Sequence, residues 1–158
     1  MKFKQSILQT SPWLSFFFVL LMATSCGTDD PERQAARDRE EILEYLADNN
    51  LTAIEHETGI FYHVQESGAG SFPSSTSIVM LSYTGRLLNG NVFDQGGERV
   101  FNLVSAIPGF RHGVQLFNRG AKGFIIVPSG LAYGAQGTPT IAPNSVLKFE
   151  LEIIDFRN

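Results

Sequence analysis

The stretch L-S-Y-T-G-R-L-L-N-G-N-V-F-D, residues 81–94, decides the fold of this chain. One apolar run ends in Tyr83-Thr84-Gly85, an Asn89-Gly90 pair follows, and a second short run carries Phe93-Asp94. Asn-Gly between apolar runs is the strongest short-range signal for a β-hairpin, because both central residues of a type I′ turn need positive φ. If the two strands pair, Tyr83 and Phe93-Asp94 meet over one sheet face. We therefore expect an apolar aromatic pocket with one carboxylate as its polar anchor.

Hydrophobic patterns on both sides of this hairpin predict more short strands. Residues 58–67 alternate between apolar and polar types, and further strands are predicted at 78–83, 99–103 and 122–127. The last strand, from residue 147 onward, alternates most regularly of all. Its charged residues face one side, so we expect that face to lie in water; they are Lys148, Glu150 and Glu152.

The remaining segments predict one short helix and one long loop. Phe110, Val114 and Phe117 recur at helical spacing, which indicates an amphipathic helix with a buried aromatic side. Residues 128–145 hold several glycines and prolines and carry L-A-Y-G at 131–134. Long loops in compact domains tend to be functional, so this loop is a candidate part of the site.

The N-terminus has the pattern of an export signal. Lys2 and Lys4 precede an apolar run at 14–23, which is too short to cross a hydrocarbon layer of about 30 Å. Ala23-Thr24-Ser25 leads into Cys26, the only cysteine, as in a bacterial lipoprotein; the alternatives are an ordinary cleavage site or an uncleaved anchor. We therefore expect a signal peptide over 1–25 and a lipidated tether over 26–30, with Cys26 attaching the protein to a membrane.

Residues 31–52 are predicted to form a charged helix and its exit. Asp30 can cap it, Pro31 suits its first position, and a narrow apolar stripe follows at Ala35, Ile42, Leu43 and Leu46. The helix is either a spacer that docks briefly on the domain or a dimerisation helix, and the sequence leaves the oligomeric state open.

Composition excludes several functional classes. The net charge is −4 without any lysine- and arginine-rich block, so nucleic acid is not an expected partner. A single cysteine excludes an intrachain disulfide. His56, His63 and His112 lie on separate predicted elements, so we interpret them as surface residues and expect neither a metal site nor a cofactor.

Six motifs occur in order and together resemble the FKBP-type peptidyl-prolyl cis-trans isomerases. They are Y-T-G at 83–85, V-F-D at 92–94, F-N-L at 101–103, I-P-G-F at 107–110, L-A-Y-G at 131–134 and A-P-N-S-V-L-K-F at 142–149. The resemblance covers residues 55–157. With the leader and the charged helix, the chain looks most like lipoprotein members from Bacteroidetes, such as the gliding-motility-associated isomerase.

The resemblance implies an α+β domain over residues 53–158, in which an antiparallel sheet wraps around one short α-helix. It implies a catalytic pocket lined by Tyr83, Phe93, Asp94, Phe101, Ile107, Phe110, Tyr133 and Phe149. Ile141 is implied as a further substrate-binding wall. The family usually has Trp at the pocket floor, where this chain has Phe110.

The resemblance implies an isomerase that acts on proline-containing polypeptides and assists the folding of exported or envelope proteins. Two alternatives remain open. The protein could be a lipid-anchored chaperone that grips proline-containing segments, or a subunit of an envelope or gliding machinery with weak or no isomerase activity.

Overall fold

The computed structural model describes residues 30–158, so the leader, Trp13 and Cys26 lie outside the described residues. Two α-helices are present in this part of the chain, α1 (Pro31–Asp48) and α2 (Pro108–Val114). The strands are β1 (Ile54–Glu55), β2 (Phe61–Glu66), β3 (Ile78–Leu87), β4 (Val92–Asn102), β5 (Lys122–Val127) and β6 (Leu147–Arg157). They form one antiparallel sheet in the order β1-β2-β5-β6-β3-β4. The predicted α+β architecture is confirmed.

The hairpin that joins β3 to β4 is present, but its turn differs from the predicted type. Gly90 has a φ of 91°, whereas Asn89 does not have positive φ, and Gly90 N–H donates to the Leu87 carbonyl at 2.9 Å. Leu87 N–H donates in turn to Asn91 O at 2.9 Å. The loop therefore has three residues, with a single left-handed glycine before the second strand, which is the next commonest solution for hairpins.

The two short strands predicted after the turn are one strand, β4, which pairs with β3 along its length. Its register shifts twice, and each shift marks a bulge. At the first bulge, two residues of β4, Gly97 and Glu98, lie opposite the single residue Ser82 of β3, and Glu98 has a φ of 47°. Near Phe93, the pairs Gly85 with Asp94 and Arg86 with Val92 leave one extra residue on β4. Because a bulge interrupts the strict alternation of faces, it can aim two successive side chains the same way.

The inner face of the sheet packs on α2 and forms the main core. Val114 and Phe117 are fully buried there, although the helix is shorter than predicted and ends at Val114. Gly113 lets α2 approach the sheet, because a Cβ atom at this position would lie 2.5 Å from Ile125 Cδ1. The short helix therefore lies close against the middle of the sheet.

The outer face of the sheet packs on α1 and forms a second core. Asp30 caps the helix by accepting a hydrogen bond from Glu32 N–H at 3.0 Å, as predicted. Of the predicted apolar stripe, Ile42 and Leu46 are buried, while Ala35 and Leu43 are exposed. The buried side chains of this second core are Ile42, Leu46, Phe61, Phe124, Ile126 and Val146.

This second core corrects the expectation that the charged face of β6 lies wholly in water. Phe61, Ile126 and Lys148 are neighbours across three strands, and Lys148 is only 8 % exposed. Its ammonium lies 5.1 Å from the ring centre of Phe124 and 3.0 Å from a carboxylate oxygen of Glu150. A lysine can be covered in this way because its aliphatic stem packs while its charge finds a partner.

The long segment 128–145 contains two 3₁₀ turns, at Ser129–Leu131 and Gly134–Gln136. Among residues 30–158, neither α-helix has the length and hydrophobicity needed to cross a bilayer.

Candidate active site

An open cavity of about 330 Å³ lies on the inner face, between the hairpin, the start of α2 and the turn that carries Tyr133. All eight residues predicted as catalytic line it: Tyr83, Phe93, Asp94, Phe101, Ile107, Phe110, Tyr133 and Phe149. The structure therefore brings together side chains that are spread over 67 positions of the sequence.

The bulge in β4 explains how Phe93 and Asp94 both reach the cavity although they are adjacent in a strand. Gly85 lies opposite Asp94, and a Cβ atom on it would lie 2.6 Å from the Phe93 ring. Because glycine has no side chain, the Phe93 ring can lie over β3 and meet Phe149, whose centroid is 5.6 Å away. A glycine is therefore required at position 85 by this close approach.

The floor and walls of the cavity are a cluster of aromatic rings, most of which meet edge to face. The Phe110 ring lies 5.1 Å from Phe149 and 5.6 Å from Phe101, and the Tyr83 ring lies 5.2 Å from Phe101. Phe110 and Phe149 are 4 % and 5 % exposed, which places them at the bottom of the cavity. Such contacts fix ring orientation beyond what area burial alone does. The floor is therefore apolar and closely packed.

One carboxylate lies against this apolar surface. The Tyr83 hydroxyl donates to Asp94 Oδ2 at 2.6 Å, and Gln95 N–H donates to Asp94 Oδ1 at 2.9 Å. Burial, together with this hydrogen bond to Asp94, raises the pKa of Tyr83 to about 12. Tyr83 therefore stays protonated at neutral pH and holds the Asp94 carboxylate in place as a donor.

Two polar groups lie at the rim of the cavity. Ile107 precedes Pro108, the first residue of α2, and within residues 30–158 its N–H makes no hydrogen bond to the protein. Tyr133 is 39 % exposed, and its hydroxyl has no hydrogen-bond partner in the same part of the chain. Both groups are available to bind carbonyl oxygens of an extended ligand.

Ile141 is not among the residues that line this cavity. It is 3 % exposed and belongs to the inner core, and its loop is closed by Thr138 N–H donating to Ile141 O at 2.8 Å. The three histidines are half-buried rather than on the open surface, and His63 stacks on Phe124 at 5.5 Å.

Three residues of the cavity wall were not predicted: Asn102, Ser105 and Ala106. Asn102 Oδ1 accepts a hydrogen bond from Val104 N–H at 3.0 Å and caps a 3₁₀ turn over Leu103–Ser105. Asn followed three residues later by Ser is a recognisable cap and turn pattern. That signal could have placed the turn in the site.

An antiparallel sheet wrapped around a short helix, with an aromatic cavity between them, is an architecture that can accept a small apolar group. The chain matches the family model of FKBP-type peptidyl-prolyl cis-trans isomerases over residues 69–154. The protein belongs to this family.

Similar proteins agree with the family match. The chain is 37 % identical over 129 residues to the FKBP-type peptidyl-prolyl cis-trans isomerase FkpA of Aeromonas hydrophila, covering 78 % of this chain and 48 % of the relative. The chain thus spans about half the length of this curated relative.

Two solved structures are similar in fold. One is the crystal structure of a peptidyl-prolyl cis-trans isomerase from Pseudomonas syringae pv. tomato, with a TM-score of 0.69 and 32 % identity, covering 84 % of this chain and 100 % of that one. The other is FkpA from Escherichia coli, with a TM-score of 0.69 and 33 % identity, covering 80 % and 62 %.

Proposed function

We propose that this protein catalyses cis–trans isomerisation of X-Pro peptide bonds in polypeptides, and that the aromatic cavity is its active site. The observation that carries the proposal is the cavity itself, in which six aromatic side chains surround one tyrosine-bound carboxylate. An apolar volume of about 330 Å³ suits a proline ring and its immediate neighbours.

The chemistry needs no nucleophile and no proton transfer. Rotation about the X-Pro bond is slow because amide resonance gives a barrier of about 18–20 kcal/mol. Water stabilises the planar amide by hydrogen bonding to its oxygen. A cavity with few donors removes that stabilisation, so the less polar twisted state gains relative to the planar ground state.

Each part of the site then has a distinct task. The floor of Phe110 and Phe149 holds the proline ring, with Phe93 and Phe101 as side walls. The Asp94 carboxylate faces the rotating amide and disfavours its polar planar form, while Tyr83 holds that carboxylate. The Ile107 N–H and the Tyr133 hydroxyl bind carbonyl groups that flank the bond and fix the substrate register.

A second function, binding without efficient catalysis, is favoured by one residue. Phe110 forms the floor where the family usually has Trp, and it is almost fully buried. A smaller floor could still grip a proline ring but orient it less strictly. The protein would then act as a holding chaperone for proline-containing segments.

A titration and a rate measurement on the same sample separate the two functions. A short X-Pro peptide is added while the aromatic NMR signals of the cavity and the cis–trans exchange rate of the peptide are recorded, with Phe110→Trp as the comparison. Isomerase function predicts binding and faster exchange in the parent. Exchange that speeds up only in Phe110→Trp, at unchanged affinity, would support the holding function instead.

For location, we propose an envelope lipoprotein that assists the folding of exported proteins. The proposal rests on the leader, on Cys26 and on the short polar tether before α1. In this arrangement residues 1–25 are removed, residues 26–30 anchor the protein and residues 53–158 form the isomerase domain, with the helical segment 31–52 between them. Cys26→Ala should move the protein from the membrane fraction to the soluble fraction; continued membrane association would contradict lipid anchoring.

A further inference from the structure

Helix α1 carries a buried carboxylate that the proposed mechanism does not use. Asp38 is 1 % exposed, and its Oδ2 accepts hydrogen bonds from both the N–H and the hydroxyl of Ser129, each at 2.7 Å. Its Oδ1 accepts a third from Gln34 Nε2 at 2.6 Å. Burial of a carboxylate is costly unless donors replace water, and these three donors do so. The Asp38 side chain therefore forms a buried tertiary contact with a residue 91 positions away in the sequence.

The contact is made where the backbone needs an acceptor. Ser129 begins the 3₁₀ turn Ser129–Leu131, and the preceding Pro128 provides no side-chain cap. The first N–H groups of a helical turn have no partner inside it, so they need an acceptor from elsewhere. Asp38 provides that acceptor from α1, and a charged acceptor gives the stronger kind of hydrogen bond.

The turn that Asp38 holds leads directly into the active site. Ala132 N–H donates to Ser129 O at 2.9 Å, and Tyr133, the next residue, lines the cavity. On the far side, Asn144 N–H donates to Gly134 O at 2.8 Å. Backbone hydrogen bonds therefore hold the chain on both sides of Tyr133, at Ser129 and at Gly134. The position of Ser129 depends in turn on its contact with Asp38 of α1.

The same turn also lies against the start of α2. A Cβ atom at Gly109 would lie 2.1 Å from Val127 Cγ1, at the end of β5, and 3.2 Å from Leu131 Cβ, so β5 and the turn together occupy the space that a side chain at 109 would need. Gly109 is flanked by the floor residue Phe110 and lies two positions from Ile107. The turn therefore lies close to the segment that carries Ile107 and Phe110 as well as to Tyr133.

We propose that Asp38 is a positioning residue of the isomerase, which acts through Ser129 to orient Tyr133 over the substrate. This inference deepens the proposed function and rests on it. It makes α1 more than a spacer, because the helix holds one rim group of the active site from the opposite side of the sheet.

A double-mutant cycle in kcat/KM tests the coupling. Loss of the hydroxyl in Tyr133→Phe should lower kcat/KM about fivefold in the parent, the worth of one hydrogen bond, but by less than about 1.5-fold in an Asp38→Ala background, where the hydroxyl is no longer aimed. The matched control is Ile42→Ala, one turn along the same helix. Its side chain packs on the sheet and does not contact Ser129, so there the two effects should multiply.

A milder variant keeps the test valid if Asp38→Ala folds poorly. Ser129→Ala removes only the hydroxyl donor and retains the N–H bond to Asp38, so it should give an intermediate coupling. If Tyr133→Phe lowers kcat/KM by the same factor in the parent, in Asp38→Ala and in Ser129→Ala, Asp38 serves stability alone and the inference is overturned.

The second readout does not depend on activity. The ring signals of labelled Tyr133 should shift or broaden in Asp38→Ala and stay at their parent positions in Ile42→Ala. Unchanged Tyr133 signals in Asp38→Ala would overturn the inference even if the protein is an active isomerase. If the parent does not accelerate isomerisation, the proposed function fails, whereas this NMR comparison still decides whether Asp38 positions Tyr133.

Discussion

The two faces of the sheet are built from the same strands but are organised in opposite ways. On the inner face, Phe149 of β6 lies beneath an open cavity with two rim groups left available. On the outer face, the adjacent Lys148 lies under α1, between aromatic rings and a carboxylate. One face leaves an aromatic cavity and unused polar groups where a ligand can bind, and the other packs part of its surface on α1 and pairs its charges. On the proposed function, stability and chemistry lie on opposite faces of one sheet, and Asp38 links them.

The largest expected effect is on stability, from the outer face. Ile42→Ala removes a fully buried side chain between α1 and the sheet, so the free energy of unfolding should fall by about 2–4 kcal/mol. Denaturant unfolding measures this. The control is Leu43→Ala, the neighbouring residue, which is 41 % exposed and should cost less than about 0.5 kcal/mol. Equal losses in the two variants would mean that α1 is not held by this core.

The next effect concerns the inner face and depends on pH. The pKa of Tyr83 is raised from 10.0 to about 12, so the unfolded chain loses this proton first as the pH rises. The stabilisation is complete below pH 10 and is lost between pH 10 and 12, with a slope of at most about 1.4 kcal/mol per pH unit. Tyr83→Phe lacks this contribution. The difference in unfolding free energy between parent and variant should therefore shrink across that window, and a constant difference would contradict the assigned environment of Tyr83.

The smallest effect is expected at Lys148. Its ammonium is partly buried against Phe124 and Tyr45. Lys148→Met therefore keeps the packed aliphatic stem but removes the charge, together with the free-energy cost of taking that charge out of water. Replacing a covered ion by an apolar side chain of similar length is often neutral, and we expect a change below about 1 kcal/mol in either direction. Thermal unfolding of the two proteins measures it. A loss of about 3 kcal/mol or more would show that the outer face depends on its charge.

The sequence predicts the inner face better than the outer one, for physical reasons. Strand alternation and ordered motifs mark Phe93, Phe110 and Phe149, because each is recognisable from its immediate neighbours. In the sequence, Asp38 and Lys148 look like solvated charges, because each lies among other charged residues. Both are covered in the fold by residues that are distant in the sequence. No local pattern specifies that Ser129 donates to Asp38 from 91 positions away.

The same distinction explains the details that the sequence prediction missed in the hairpin. The sequence predicts the place of the turn but not its type, and it divides β4 in two because the bulges break the period-two pattern. Gly85 and Phe93 show the consequence, because the bulge that spoils the pattern is also what aims Phe93 and Asp94 into one cavity. The resemblance implies Ile141 as a wall of the site, whereas in the structure its buried side chain does not line the cavity.

The most direct test of the account is the cis-to-trans rate of a short X-Pro peptide with the purified protein and three variants. The uncatalysed reaction takes tens to hundreds of seconds, so weak catalysis is measurable. We expect clear acceleration by the parent, a loss in kcat/KM of about tenfold in Asp94→Ala and about a hundredfold in Phe149→Ala, and less than about twofold in Ile42→Ala while it remains folded. Circular dichroism checks folding in each case. A parent that binds the peptide without accelerating its isomerisation, or equal rates in all folded variants, would contradict the claim that the aromatic cavity is an active site.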